Sequence, residues 1–226
     1  MLLNKFHPLA AIAVLLPVTA AALGYRTVNS TFGDYAIRFK SWSSHNTKLC
    51  NGGLGHYACW ADMSNRHLFF SLAPLLVWHQ EGPGGSSLQG MLFENGPCLI
   101  DRSDVTKFNP NYWTECFNVV YLGQRADVGF SYVDNNVEQA APDMPSRTPT
   151  SSLDSVVLIR LLHEDFPLLK HVDLDLSGKS FAGRYVPNFA DRILKYNAFV
   201  DQAPDSSGVI SLRSIVVGNP WINPAV

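Results

Sequence analysis

No histidine occurs after His171, and the acidic residues after Ser180 are Asp191, Asp201 and Asp205 alone. Any reaction that needs a base late in the chain is therefore not supplied by these 226 residues. Cysteine is scarce as well: Cys50, Cys59, Cys98 and Cys116 are too few for a disulfide-dense scaffold. In an oxidising compartment they would still pair, in one of three ways. Charge of either sign is also missing in bulk. A formal charge of -2 with 16% charged residues gives no reason to expect nucleic acid or an anionic membrane as partner. There is no internal repeat. The apolar run from Leu9 to Val18 ends by Leu23, short of the roughly 20 residues that a membrane span needs.

What is present is a core former, with 46% hydrophobic and 12% aromatic residues. Lys5, the run Leu9 to Val18 and the small residues Ala20, Ala21 and Ala22 together read as a secretory signal peptide over 1–22. Residues 23–226 then form the folded part, with no membrane anchor after cleavage and a secreted or vacuolar destination. Asn29-Ser30-Thr31 is the one Asn-x-Ser/Thr triplet of the chain, a possible acceptor for glycan.

Strand and helix signals alternate, which predicts an α/β fold with a mostly parallel sheet. Leu75 to Trp78 and Val119 to Leu122 are short continuous apolar runs, as in strands buried on both faces, and Ile215-Val216-Val217 reads the same way. The stretch from Asn135 to Ser152 is rich in Pro, Ser, Thr and Asn, and predicts an exposed loop. Ser151 and Asp154 at capping-box spacing predict a helix from Ser151 to His163. Leu174 and Leu176 alternate with polar residues as in a strand that Gly178 breaks with a sharp turn. From Phe181 the spacing becomes helical, with Pro187 predicting a kink or a late start.

Strand, then Gly178-Lys179-Ser180-Phe181-Ala182-Gly183, then helix is the layout of a nucleophile elbow. Small residues on both sides of Ser180 let the backbone turn sharply and present the hydroxyl at the sheet edge. Gly178-Lys179-Ser180 also matches the end of a phosphate loop, but the first glycine of that motif would fall on Asp173, whose carboxylate repels phosphate. Gly82-Pro83-Gly84-Gly85-Ser86-Ser87 follows the strand ending at Trp78 and exposes backbone amides. One oxyanion donor from such an early loop and one from the residue after the nucleophile would be Gly82 and Phe181.

These segments in this order resemble the serine carboxypeptidases, most closely the fungal members. The family's W-L-N-G-G-P-G-x-S-S is similar to Trp78 through Ser87, and its F-x-E-x-G-P to Phe93-Glu94-Asn95-Gly96-Pro97. Its D-Q-P-x-x-x-G-F-S-Y loop is similar to Gly123 through Tyr132, and its G-E-S-Y-A-G elbow to Gly178 through Gly183. Asn109 to Trp113 looks like the family's N-P-x-S-W turn, and the resemblance runs from about Cys50 to Pro224. It implies an α/β-hydrolase-like sheet with flanking helices, truncated at the C-terminus, and hydrolysis of C-terminal peptide bonds through an acyl-enzyme on Ser180. It implies peptide or protein C-termini as partners, and calls for no cofactor and no metal. Glu94 aligns with a glutamate that helps recognise the substrate carboxylate. Gln80, Glu81 and Lys179 fall on neighbouring working positions, where the family has Asn, Gly and Glu.

Those departures bear on the chemistry. Glu81 adds a charge that repels a carboxylate unless neutralised, and Lys179 can neutralise it, or Glu94, or bind the substrate carboxylate itself. Gly123 and Arg125 replace the loop's Asp and Pro. The hydrolase order of Ser, then Asp or Glu, then His is not completed, since Asp191, Asp201 and Asp205 come too early. His163 and His171 precede Ser180 and read as a helix C-terminal residue and a loop residue. The alternative to a peptidase is a non-catalytic secreted binding protein with the same fold.

Overall fold

The computed structural model describes residues 25–42, 56–63, 66–72, 75–80, 82, 84–101, 105–115, 117–124, 126, 128–133, 144–202 and 208–223. The expected leader over 1–22, Glu81, Arg125, Cys50 and Cys116 lie outside them. Cys98 is disulfide-bonded. No helix among the described residues is long and apolar enough to cross a membrane.

An antiparallel wing comes first in the chain: β1 (Arg26–Asn29), β2 (Tyr35–Trp42), β3 (His56–Met63) and β4 (Arg66–Leu72). There follow β5 (Leu75–His79), α1 (Leu88–Phe93), a small hairpin of β6 (Cys98–Ile100) and β7 (Thr106–Phe108), then β8 (Asn118–Leu122) and β9 (Tyr132–Val133). The chain continues through α2 (Met144–Asp165), β10 (Leu174–Lys179), α3 (Ala182–Val200) and β11 (Leu212–Gly218). The main sheet has the order β1-β2-β3-β4-β8-β5-β10-β11, with β9 beside β4. Strands β8, β5, β10 and β11 are parallel, as the alternation of strand and helix predicts.

Period-two alternation sorts the central strands onto two faces. Val77, Val120, Leu122, Leu174 and Leu176 pack with Val156, Leu158 and Ile159 of α2 and Tyr185, Phe189 and Ile193 of α3. Leu76, Trp78, Val119 and Tyr121 face the other way, against Met91 of α1. Both β5 and β8 are thus covered on both sides, which is why their sequences read as unbroken apolar runs.

Several expectations are corrected by this packing. The helix begins at Met144, so the latter part of the stretch predicted as loop is helical. Pro145 lies in its first turn, where a missing N–H is no loss. Ser151 and Asp154 do not cap a helix start; both are buried inside α2, where the Ser151 carbonyl accepts bonds from Gln124 Nε2 (3.1 Å) and Ser155 Oγ (3.0 Å). Helix α3 starts at Ala182 and continues past Pro187, because apolar residues on its inner face outweigh one lost backbone bond. The polar residues of β10 are buried too: Asp175 accepts from Arg213 Nε (3.0 Å) and Ser214 Oγ (2.8 Å). Strand β11 forms and is an edge among the described residues, with Val217 packed on the core and Ile215 and Val216 exposed at 46% and 54%.

Phe189 is the hub of the α3 interface. It is fully buried, stacks on Tyr185 at 5.9 Å and lies 4.8 Å from the ring of His79. Truncating a buried phenylalanine costs transfer energy plus a cavity, about 3 to 5 kcal/mol. Phe189→Ala is expected to lower the urea midpoint accordingly, and an unchanged midpoint would show that α3 is not anchored through this ring.

Candidate active site

The sharp turn predicted at Gly178 falls two residues later. Strand pairing continues through Gly178, beside Val217, to Lys179, beside Gly218, and Ser180 then takes a φ of 59°. That left-handed conformation is costly for a serine and persists only where its surroundings over-determine it. Three bonds do so: Ser180 N–H donates to the Gly218 carbonyl (3.1 Å), while the Ser180 carbonyl accepts from Trp221 N–H (2.8 Å) and Gly183 N–H (3.0 Å). Phe181 is the N-cap of α3, so the helix opens immediately after the serine.

The small residues around Ser180 have identifiable neighbours. A Cβ on Gly178 would come within 2.4 Å of the His79 carbonyl and 2.5 Å of Ala182 Cβ. One on Gly183 would come within 2.8 Å of Pro220. Gly178 thus lets β10 lie against the end of β5, and Gly183 lets α3 lie against the segment after β11. Ala182, fully buried against Gly178, fills the position that many elbows give to glycine. Among the described residues no side chain hydrogen-bonds the Ser180 hydroxyl.

Gly178 is paired with His79, so the chain leaves β5 and β10 at the same edge of the sheet. From β5 it enters the glycine loop, where Gly82 is half-buried with a φ of 158° and Gly84 has a φ of 105°. Ser87 Oγ accepts Gln80 N–H at 3.0 Å and holds the loop's two ends together. Gly129 packs the later loop onto this one, since a Cβ there would lie 2.7 Å from Ser86 Oγ. Ser131 Oγ donates to the Gly123 carbonyl at 2.6 Å, which closes that later loop in spite of the replaced Asp.

Gln80, Glu94 and Lys179 come together. Trp78 Nε1 donates to Gln80 Oε1 at 2.9 Å, which orients the amide so that Gln80 Nε2 donates to Glu94 Oε1 at 3.1 Å. Lys179 Nζ pairs with the same oxygen at 2.5 Å. The Glu94 turn is fixed from behind, with Asn109 Nδ2 donating to the Glu94 and Gly96 carbonyls at 3.0 and 2.9 Å. Tyr121 OH donates to Asn95 Oδ1 at 3.0 Å, and burial pushes this phenol well above its usual range, so it stays a donor. Trp78, Asn95 and Tyr121 were not signalled as site residues by spacing, because their work is to hold the residues that were. Lys179 and Glu94 are each about one-third exposed or more, so their pair contributes at most about 1 kcal/mol to stability. Among the described residues no three His, Cys, Asp or Glu side chains converge as metal ligands.

Beneath the elbow lies His79, a residue that the motif reading passes over. It is 1% exposed, and among the described residues neither ring nitrogen has a hydrogen-bond partner. Burial lowers its pKa to about 3, with Gln124 the one side chain favouring the charged ring. His163, in the last turn of α2 as expected, is lowered to about 4 by burial and then by Lys170 and Arg160. His171 ends a short 3-10 helix, Pro167–His171, and is exposed. Both depressed histidines bind protons more readily unfolded than folded between their native values and about 6.5. Stability therefore falls as pH drops through that window, by up to about 5 kcal/mol for His79 alone. His79→Leu is expected to flatten the pH dependence of the thermal midpoint between pH 6.5 and 3. A curve as steep as that of the unchanged protein would show that His79 is not the source.

The serine carboxypeptidase family model matches residues 56–226. "Carboxypeptidase Y homolog A" of Paracoccidioides brasiliensis (strain Pb03) is 29% identical over 211 residues, covering 88% of this chain and 35% of that protein. Carboxypeptidase Y of Schizosaccharomyces pombe is 30% identical over 211 residues, 86% of this chain and 20% of its own length. Among solved structures, Kex1Δp, a prohormone-processing carboxypeptidase from Saccharomyces cerevisiae, superposes with a TM-score of 0.60 at 24% identity, covering 84% of this chain and 39% of that one. The chain belongs to the serine carboxypeptidase family, and it spans about a third or less of the length of these curated relatives.

Proposed function

We propose that residues 23–226 are the nucleophile-bearing part of a serine-type carboxypeptidase of the secretory pathway, secreted or vacuolar after loss of a leader over 1–22. The supporting observation is Ser180, held at a positive φ at the sheet edge where the glycine loop also begins. In this reading Ser180 Oγ attacks the carbonyl carbon of the last peptide bond while the amides of Gly82 and Phe181 stabilise the developing oxyanion. The C-terminal amino acid leaves and water then releases the acyl group. The base and its orienting acid, a histidine and an aspartate, come from outside these 226 residues.

Recognition of the substrate's terminal carboxylate falls to Gln80, Glu81, Glu94 and Lys179. Lys179 supplies the positive charge: it stands at 2.5 Å from Glu94, and a substrate carboxylate competes for the same ammonium. The second reading is a non-catalytic protein that binds peptide C-termini on this surface. It is favoured by the residues at Gln80, Glu81 and Lys179, which depart from the pattern of the serine carboxypeptidases at the working positions.

A fluorophosphonate probe distinguishes the two. The peptidase reading expects labelling that Ser180→Ala abolishes, and absence of labelling in a chain completed by its downstream segment would leave only the binding reading. For recognition, the free acid of a peptide is expected to bind at least about tenfold more tightly than its C-terminal amide, the scale of one charged hydrogen bond. Lys179→Glu is expected to erase that preference in calorimetry at both acid and neutral pH. Retention of the preference would remove Lys179 from the site.

A further inference from the structure

Asn29-Ser30-Thr31, the one Asn-x-Ser/Thr triplet of the chain, is not used by any part of the site described above. The structure places it where strand β1 ends. Alternation along β1 turns Val28 inward and Asn29 outward, and Asn29 is exposed with no side-chain hydrogen bond. Its backbone is paired with Ala36, and Ser30 N–H donates to the Tyr35 carbonyl at 2.9 Å, so the acceptor sits on an ordered hairpin. Thr31 N–H donates to Glu164 Oε2 at 3.2 Å and its hydroxyl to Glu164 Oε1, which ties the bend to the last turn of α2. The end of α2 leads into the start of β10 at Leu174, whereas Ser180 follows its far end. In the sheet, β2, β3, β4, β8 and β5 lie between β1 and β10, so the acceptor stands well away from Ser180.

We propose that Asn29 carries an N-linked glycan. The inference rests on the secretory-pathway reading and is independent of catalysis. Asn29 Nδ2 displaces the pyrophosphate of a lipid-linked oligosaccharide at the anomeric carbon. A C–N bond forms, the C–O bond breaks with its electrons on the departing lipid pyrophosphate, and one amide proton is lost. The folded chain accommodates the product without burying sugar, on strand β1, which five strands separate from β10 and the elbow. It also shields β1, which has no strand partner on its outer side among the described residues and is there a template for edge-to-edge association.

The test is translation of the full chain in the presence of endoplasmic-reticulum microsomes, once with its own N-terminus and once behind an unrelated cleavable signal. The expected result in the protease-protected fraction is a slower-migrating band that peptide-N-glycosidase collapses, leaving an aspartate mark at position 29 in the mass spectrum. Asn29→Gln and Thr31→Ala are expected to lose the band, and Thr31→Ser to keep it. Protected chain behind the unrelated signal with no shifted band, or a shift that survives Asn29→Gln, overturns the proposal. Failure of protection confined to the chain's own N-terminus would sink the leader reading, while the second arm still decides Asn29.

Discussion

The close approach of β10 to β5 at Gly178 is the constraint on which the rest of the structure depends. Only hydrogen fits between the Gly178 α-carbon and the His79 carbonyl, and Ala182 fills the remaining space. That contact brings the ends of two parallel strands to one edge, so that the glycine loop and the elbow start side by side. It also delivers Ser180 to a strained backbone conformation just before α3 begins. The strain is held from a third direction by Gly218 and Trp221, so the edge strand β11 is part of the elbow's support.

A second layer of order runs through hydrogen bonds that converge on Glu94. Trp78, Gln80, Glu94 and Lys179 form a chain from the buried face of β5 to the surface, and Asn109 fixes the turn that carries Glu94. The lysine at the elbow places a positive charge directly beside the Glu94 carboxylate. Such a half-exposed pair contributes little to stability.

Polar burial explains where reading by pattern and structure part. Asp175 and Ser177 look like the wet side of a strand, yet β10 lies between β5 and β11, and Arg213 and Ser214 satisfy the carboxylate there. Ser151, Ser152 and Asp154 look like loop and cap, yet they lie inside a 22-residue helix buried against the sheet. Of Ile215 to Val217 only Val217 packs on the core, because β11 is an edge among the described residues and apolar composition reports what a strand can bury, not what covers it.

By itself, the sequence determined the parallel α/β core, the elbow at residues 178–183, the glycine loop and the family likeness, since each depends on local spacing or on residues that only small side chains can replace. Tertiary structure alone decided that Ser180 and not Gly178 takes the strained turn, that Lys179 pairs with Glu94, and that a buried histidine lies under the elbow against Phe189. Those outcomes depend on contacts between residues dozens to a hundred positions apart. Their energies are set by burial and by which partner reaches first, and neither quantity is written in the order of residues along one segment.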